Sequence, residues 1–243
     1  MNRAMIKRIL NWQIQIINFS VILLLLITAP EGMPTVNLLG GFSAINGMGR
    51  LNILAIMRWN LCVLPPIATS ILFMSSELGP LSTYTVMRTT GVKSWYLIRL
   101  CAIVLANLIY IFTFILLGAA LGINEKSDLP CLYRLMLVFP MHTILMSTIS
   151  LTLIIILRST KAAILAYLIV DGGMVILGSI LPTVSKYLLP FWGMAQSDAL
   201  MLQNSGYHLF ITAGITVLLF CLFMFASIKW LQKNNPAADP LIT

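Results

Sequence analysis

Long apolar runs alternate with short polar connections along the whole chain. A helix needs about 20 mainly apolar residues to cross a bilayer, and six of the runs approach or exceed that length. The pattern therefore predicts transmembrane helices at residues 14–29, 51–74, 96–121, 132–157, 162–181 and 207–231. Because these spans use nearly all of the 243 residues, we predict an all-α, polytopic membrane protein with one domain over residues 1–233.

Three shorter segments complete the predicted layout. Basic residues interleave with Met5 and Ile6 near the start of the chain, which predicts that residues 1–12 form a helix lying in the membrane interface. Residues 182–206 are half apolar and broken by prolines, so we predict a re-entrant outer hairpin there, before the last span. The polar residues 234–243 are predicted to be a disordered tail.

The composition supports a bilayer environment. Apolar residues make up 59% of the chain and charged residues 9%, against about 25% charged residues in an ordinary soluble domain. The net charge of +8 is spread between the apolar runs, so membrane topology explains it better than nucleic-acid binding does. The four cysteines show no paired spacing of the kind that a disulfide framework or a zinc site requires.

The Lys and Arg residues orient the predicted spans. Ten of the 15 lie on one side of the layout, namely Arg3, Lys7, Arg8, Arg88, Lys93, Arg99, Arg158, Lys161, Lys229 and Lys233. The other five are Arg50, Arg58, Lys126, Arg134 and Lys186. Since the side richer in basic residues is normally the cytoplasmic one, we predict cytoplasmic termini and a place in the cell membrane, here a bacterial cytoplasmic membrane.

Pro65 and Pro66 fall inside the second predicted span. Proline removes a backbone donor, so a carbonyl one turn earlier loses its helical partner. Membrane helices tolerate this only where neighbouring helices or water supply a new donor. We therefore expect the freed carbonyls to be satisfied from outside this span.

Two charged residues, Arg58 and Asp171, are predicted to lie within the spans. An ionised carboxylate at mid-membrane costs about 2.5–3.5 kcal/mol on insertion scales, so Asp171 should face protein or water. One interpretation is an Arg58 side chain that reaches to the interface and a hydrogen-bonded or protonated Asp171. The other interpretation is that the two residues form a pair, or that Asp171 lies on a translocation surface.

The chain lacks the sequence motifs of a self-contained enzyme. It has no Gly-x-x-x-x-Gly-Lys-Ser/Thr phosphate loop and no pair of histidines with metalloprotease spacing. It also has no Gly-x-Ser-x-Gly turn and no paired carboxylates for acid–base work. We therefore predict that the chain is not itself an enzyme and binds no cofactor or metal directly.

The polar stretch at residues 75–95 carries a family resemblance. Residues 76–88 read SELGPLSTYTVMR and residues 91–99 read GVKSWYLIR. They resemble the first cytoplasmic loop of type 2 permease subunits of ATP-binding-cassette exporters. The layout of six spans, interfacial helix and broken hairpin is similar to that family across nearly the whole chain, and the small size is similar to permeases for antimicrobial-peptide export and lantibiotic immunity.

This resemblance implies a function that depends on partner proteins. Residues 75–95 would form a coupling loop against a separate cytoplasmic ATPase, and Glu77, Tyr84, Arg88 and Lys93 would make the contact. ATP and Mg would be bound by two such ATPase subunits. A second permease subunit, identical or different, would complete an exporter of a peptide or amphipathic cargo.

Two other functions stay open at this point. A secondary transporter or channel acting alone usually has charged or polar residues along several spans or an internal repeat, whereas Asp171 and Arg58 are the only charges that lie away from the ends of the predicted spans. A membrane scaffold that transports nothing is the other alternative. It would bind partners without responding to nucleotide.

Overall fold

The computed structural model describes residues 12–28, 53–78, 91–120, 129–181, 188–192 and 207–234. Every regular element in these ranges is a helix, in agreement with the predicted all-α class. The helices are α1 (Trp12–Ile27), α2 (Ile53–Leu78), α3 (Val92–Ala120), α4 (Leu129–Leu157), α5 (Thr160–Ile180), α6 (Leu189–Trp192) and α7 (Tyr207–Asn234).

Five of these helices are long and apolar enough to cross a membrane, as expected of a multi-pass membrane protein. The apolar stretches are Ile56–Leu78, Val92–Gly118, Met136–Leu157, Thr160–Gly178 and Ile211–Asn234. The sixth predicted span corresponds to α1, whose 16 residues extend about 24 Å at 1.5 Å per residue. This is shorter than the roughly 30 Å hydrocarbon core, so the sixth crossing stays a prediction.

Contacts between helices show that the long helices alternate in direction. Glu77 near the end of α2 contacts Arg99 near the start of α3, and Ser75 contacts Thr160 at the start of α5. We call the end of the bundle that contains these contacts the basal end. The opposite, apical end holds the contact between Arg58 of α2 and Thr28 after α1. Which end faces the cytoplasm stays a prediction.

Helix α4 lies at the centre of the bundle. It packs against α7, α2, α5 and α3, and its residues Phe139, Met146 and Leu151 are almost fully buried. The largest buried side chains around it include Trp59, Ile67, Ile71, Met74, Trp95, Tyr96, Phe114 and Tyr167. By contrast, α5 and α7 expose large apolar side chains such as Ile169, Leu218 and Phe225, as helices facing lipid do.

Helix α2 continues through Pro65 and Pro66 because a neighbouring helix supplies the missing donor. The carbonyl of Cys62 lies four residues before Pro66, which has no N–H to offer it. The Tyr110 hydroxyl of α3 donates to this carbonyl over 3.0 Å, in a fully buried position. This contact confirms, for Cys62, the expectation that a neighbouring helix satisfies a freed carbonyl.

The turn between α4 and α5 consists of two residues. Arg158 has a φ of 51°, a conformation that is uncommon outside glycine. Ser159 is extended and caps α5, because its side chain accepts a hydrogen bond from the Ala162 N–H over 3.3 Å. The two helices are therefore joined by a short, locally defined connection.

The observed helices extend into the predicted loop at residues 75–95. Helix α2 runs to Leu78 and α3 starts at Val92, so the connecting segment is residues 79–91. Residues 79–90 lie outside the described residues, as do residues 1–11 of the interfacial helix predicted at 1–12 and residues 235–243 of the tail predicted at 234–243. The remaining residues of those two segments, Trp12 and Asn234, are the first residue of α1 and the last residue of α7. Of the predicted outer hairpin, the structure describes residues 188–192, where α6 packs against α5 and α4.

Replacing Tyr110 with Phe should destabilise the bundle, because the Cys62 carbonyl would lose its donor in a buried setting. Hydrogen bonds between membrane helices contribute about 0.6 kcal/mol on average and about 1.7 kcal/mol at most, and we expect a loss in the upper half of that range. The measurement is the free energy of unfolding in mixed micelles.

Thr113→Val on the same helix is the matched control. Its hydroxyl donates to the Ile109 carbonyl within α3, and that carbonyl keeps its helical partner after the substitution. This variant should be as stable as the wild type. Equal stability of the Tyr110→Phe variant would contradict the role given to Tyr110.

Candidate functional site

A buried ion pair joins α2 to α3 at the basal end. Glu77, in the last turn of α2, is 4% exposed. Arg99, in the second turn of α3, donates from Nη2 over 2.9 Å and from Nε over 3.1 Å, and both bonds go to the Glu77 Oε2 atom. Because the pair is largely removed from water, removal of one partner would leave an uncompensated charge.

Trp95 completes this cluster. The Arg99 guanidinium lies over its ring, 4.5 Å from the centroid, and Arg99 Nη1 also donates to the Trp95 carbonyl over 3.4 Å. Gly91 starts this part of the chain with a φ of 77°, where a side chain would be strained. We call Glu77, Trp95 and Arg99 the basal clamp, since they hold together the two helices on either side of residues 79–90.

The sequence-predicted coupling residues occupy different positions around this clamp. Glu77 is a buried member of it rather than a solvated loop residue. Lys93 lies in the first turn of α3 and is exposed. Tyr84 and Arg88 lie outside the described residues. Sequence analysis counted Arg99 among the basic residues on the predicted cytoplasmic side and missed its pairing with Glu77, because the two are 22 residues apart.

Hydrogen bonds between hydroxyls link the other helices at the basal end. The Ser75 and Thr160 hydroxyls are 2.7 Å apart and join α2 to α5. Those of Thr152 and Ser227 are 2.9 Å apart and join α4 to α7. Together with the clamp, these contacts link α2 to α3 and α5, and α4 to α7, at this end.

A second set of polar residues crosses the middle of the bundle, and sequence analysis missed it. Ser147 of α4 accepts hydrogen bonds from Asn107 of α3 over 2.8 Å and from Ser70 of α2 over 3.3 Å. Asn18 of α1 donates to Thr69 of α2 over 3.2 Å. Only charges in the spans were weighed, although these small polar residues were visible in the sequence. Their groups bond to one another, which suits a structural role.

Asp171 lies in the middle of α5 and faces the bundle. Ala163, Tyr167, Asp171 and Val175 follow one another at four-residue spacing, and each is at most 2% exposed. This burial agrees with the expectation that Asp171 faces protein rather than lipid. Tyr167, one turn earlier on the same face, is the hydrogen-bond partner of the Asp171 carboxyl.

The structure gives Arg58 a partner other than Asp171. Its Nη2 donates to the Thr28 carbonyl over 3.0 Å, just past the end of α1, where helix carbonyls lack helical partners. Because the Ser75 and Thr160 hydroxyls are in contact, these two residues lie at the same depth near the basal end. From that level, at 1.5 Å per residue, Arg58 lies about 25 Å and Asp171 about 16 Å toward the apical end. The structure therefore does not bring the two side chains together.

His142 lines a small crevice toward the apical end, between α4 and α7. The crevice has a volume of about 20 Å³ and includes Thr212 and Thr216 in its wall, which is room for one water molecule. His142 is buried beside the Trp59 ring and hydrogen-bonded to the Leu189 backbone, while its Nε2 has no partner among the described groups. Within the described ranges no three His, Cys, Asp or Glu residues gather as metal ligands would.

No protein-family model, curated protein sequence or solved structure matches this chain. The resemblance to type 2 permeases therefore stays a prediction from the sequence. The basal clamp and the buried Asp171 are the two features on which a functional argument can be built.

The geometry predicts that substitutions at Arg58 and Asp171 act independently. Residues that share no partner and lie about 10 Å apart usually have additive effects within about 0.5 kcal/mol. We expect the losses of unfolding free energy in Arg58→Gln and Asp171→Asn to sum in the double variant. A double variant clearly less impaired than the sum would instead support a direct pair.

Proposed function

We propose that this chain is the membrane-spanning subunit of an ATP-driven exporter and couples to a separate cytoplasmic ATPase through residues 75–95. The basal clamp is the observation that carries the proposal. It ties the two helices that flank residues 79–90 by a buried ion pair and a cation–π contact. The sequence of the same stretch resembles the coupling loop of type 2 permeases.

A coupling segment must pass a displacement to the helices rather than absorb it. An exposed ion pair contributes little to stability, with a median of about 0–1 kcal/mol. The Glu77 and Arg99 side chains are only 5% and 14% exposed, and Arg99 is also held by the Trp95 ring and carbonyl. A force on residues 79–90 would therefore move the ends of α2 and α3 together.

The displacement would spread from the clamp to the rest of the basal end. Ser75 links α2 to α5, and both α2 and α3 pack against α4. ATP-driven closure of the partner ATPases would shift this end and alternate the access of a surface shared with a second permease subunit. Lys93, exposed in the first turn of α3, is available to contact the ATPase, together with Tyr84 and Arg88 of the connecting segment.

In this proposal the partner subunits bind and hydrolyse the nucleotide. The chain has no phosphate-binding loop, so ATP and Mg would be held by the ATPase subunits. The cargo class follows from the size and layout shared with small peptide permeases, which favours a peptide or an amphipathic molecule. In this assignment the basal end is cytoplasmic, residues 182–206 form the outer hairpin, and α1 makes the sixth crossing.

One observation favours a second candidate, a self-contained carrier. Asp171 is a buried carboxyl in the middle of α5, and intramembrane acids mark ion or substrate paths in many transporters. Such a carrier would function without any ATPase. It would not need the basal clamp for activity.

Affinity purification in mild detergent tests the proposal. We expect a nucleotide-binding subunit to co-purify with the wild-type chain. The Glu77→Ala/Arg88→Ala variant should lose that subunit, or its stimulated ATPase activity should fall at least tenfold. The reason is that one substitution opens the clamp and the other alters the connecting segment. ATP hydrolysis by the purified complex is the readout.

Lys233→Ala is the matched control, because Lys233 is exposed in the last turn of α7 and belongs neither to the clamp nor to the connecting segment. This variant should keep both the subunit and the activity. Purification of the wild-type chain without any ATPase would make the coupling assignment wrong and favour the carrier or a scaffold. Full ATPase stimulation in the clamp variant would also contradict the proposal.

A further inference from the structure

The described basal end carries exposed positive charge without an exposed acid. Five basic side chains are exposed there, namely Lys93, Arg158, Lys161, Lys229 and Lys233. The only acidic residues within the described ranges are Glu77 and Asp171, and both are buried. Among the described residues, the exposed cations therefore have no acidic counterpart on the surface.

Two of the five, Lys229 and Lys233, share one face of α7. They are four residues apart, so one lies above the other on the helix surface. Like charges at this spacing destabilise a helix, because the two groups repel each other. An anion between the two ammonium groups would remove that repulsion.

Helices α4 and α7 run side by side in the same direction. Thr212 of α7 lies beside His142 of α4 toward the apical end, and Ser227 contacts Thr152 toward the basal end. Residues at equal distances past the second contact therefore lie at about equal depth on the two helices.

This register gives the depth of the two lysines. Lys233 lies six residues past Ser227 and Arg158 six residues past Thr152, so Lys233 is level with the turn that joins α4 to α5. Lys229 is one turn, about 6 Å, nearer the middle of the bundle.

The Lys229 side chain extends further in that direction. Its Nζ atom lies over the Phe225 ring, 5.6 Å from the centroid, and Phe225 is one turn nearer the apical end. Phe225 shares a face of α7 with Leu218 and Leu222, and all three side chains are more than half exposed. The ammonium group therefore lies beside an apolar surface of the kind that faces lipid.

This position favours a lipid over a protein as the source of the anion. A soluble protein approaches from beyond the ends of the helices, where Lys233 lies, whereas Lys229 is one turn inside and beside an apolar face. The phosphate of a phospholipid lies at the boundary between hydrocarbon and water, and its acyl chains cover apolar helix faces. Trp230, next to Lys229, is exposed and is of the residue type that is enriched at this boundary.

We propose that Lys229 and Lys233 bind the headgroup phosphate of an anionic phospholipid whose acyl chains lie against Leu222 and Phe225. Both ammonium groups donate charge-assisted hydrogen bonds to the phosphate oxygens. A zwitterionic lipid carries its own compensating cation, so the site prefers a lipid of net negative charge. The site belongs to a single chain and does not depend on a partner ATPase.

Native mass spectrometry of the full chain, released from detergent micelles, tests this site. The probes are dioleoylphosphatidylglycerol and dioleoylphosphatidylcholine, which have the same acyl chains and differ in headgroup charge. We expect the first phosphatidylglycerol to bind about tenfold more tightly than the first phosphatidylcholine, which corresponds to about 1.4 kcal/mol. Lys229→Gln and Lys233→Gln should each lower this ratio about threefold, and the double variant should bring it close to one.

Lys161→Gln is the matched control. It removes one positive charge from an exposed position at the same end of the bundle, in the first turn of α5, and should keep the wild-type ratio. Glycerol 3-phosphate separates a lipid site from a site for free phosphate, because it carries the phosphate without acyl chains. At a concentration equal to that of the lipid it should not displace bound phosphatidylglycerol.

Three results would overturn the inference: equal affinities for the two lipids in the wild type, an unchanged ratio in the double variant, or an equal fall in Lys161→Gln. Displacement by glycerol 3-phosphate would show a site for free phosphate instead of a lipid site. Loss of a co-purified soluble subunit from the double variant, at an unchanged lipid ratio, would assign the two lysines to a protein interface.

Discussion

Hydrocarbon offers no hydrogen bonds to a helix, so α2 can carry two adjacent prolines through its interior only with help from its neighbours. Tyr110 gives that help at the Cys62 carbonyl, and this fixes the register between α2 and α3. With that register set, Glu77 and Arg99 meet at the basal end. Ser70 and Asn107 meet at Ser147 of the central helix α4. Satisfying polar groups inside the bundle thus organises the packing.

The same requirement divides the buried polar groups into two kinds. The Asn107, Ser147 and Ser70 side chains bond to one another across three helices, and their mutual bonding makes that region rigid. Asp171 and Tyr167 are equally buried, but they bond to each other along one helix rather than across helices.

Apolar run length was enough to predict the helical class and the positions of the long helices to within a few residues. It placed the end of α2 and the start of α3 four residues wrongly, because Glu77 and Lys93 look like loop charges when the pairing of Glu77 with Arg99 is not known. Pairing across 22 residues leaves no periodic signal. The hydroxyl and amide contacts of Ser147 were equally hidden, since a single sequence shows polar residues but not which helix faces which.

The two-residue turn at Arg158 and Ser159 has a mechanical consequence. It joins α5 so closely to α4 that α5 has little room to slide along it, whereas α6 holds α5 by packing rather than by a short turn. A tilt of α5 would therefore pivot near Ser159. Asp171 lies about 16 Å along the arm, so a swing of about 10° would carry its carboxyl about 3 Å, roughly the width of one water molecule.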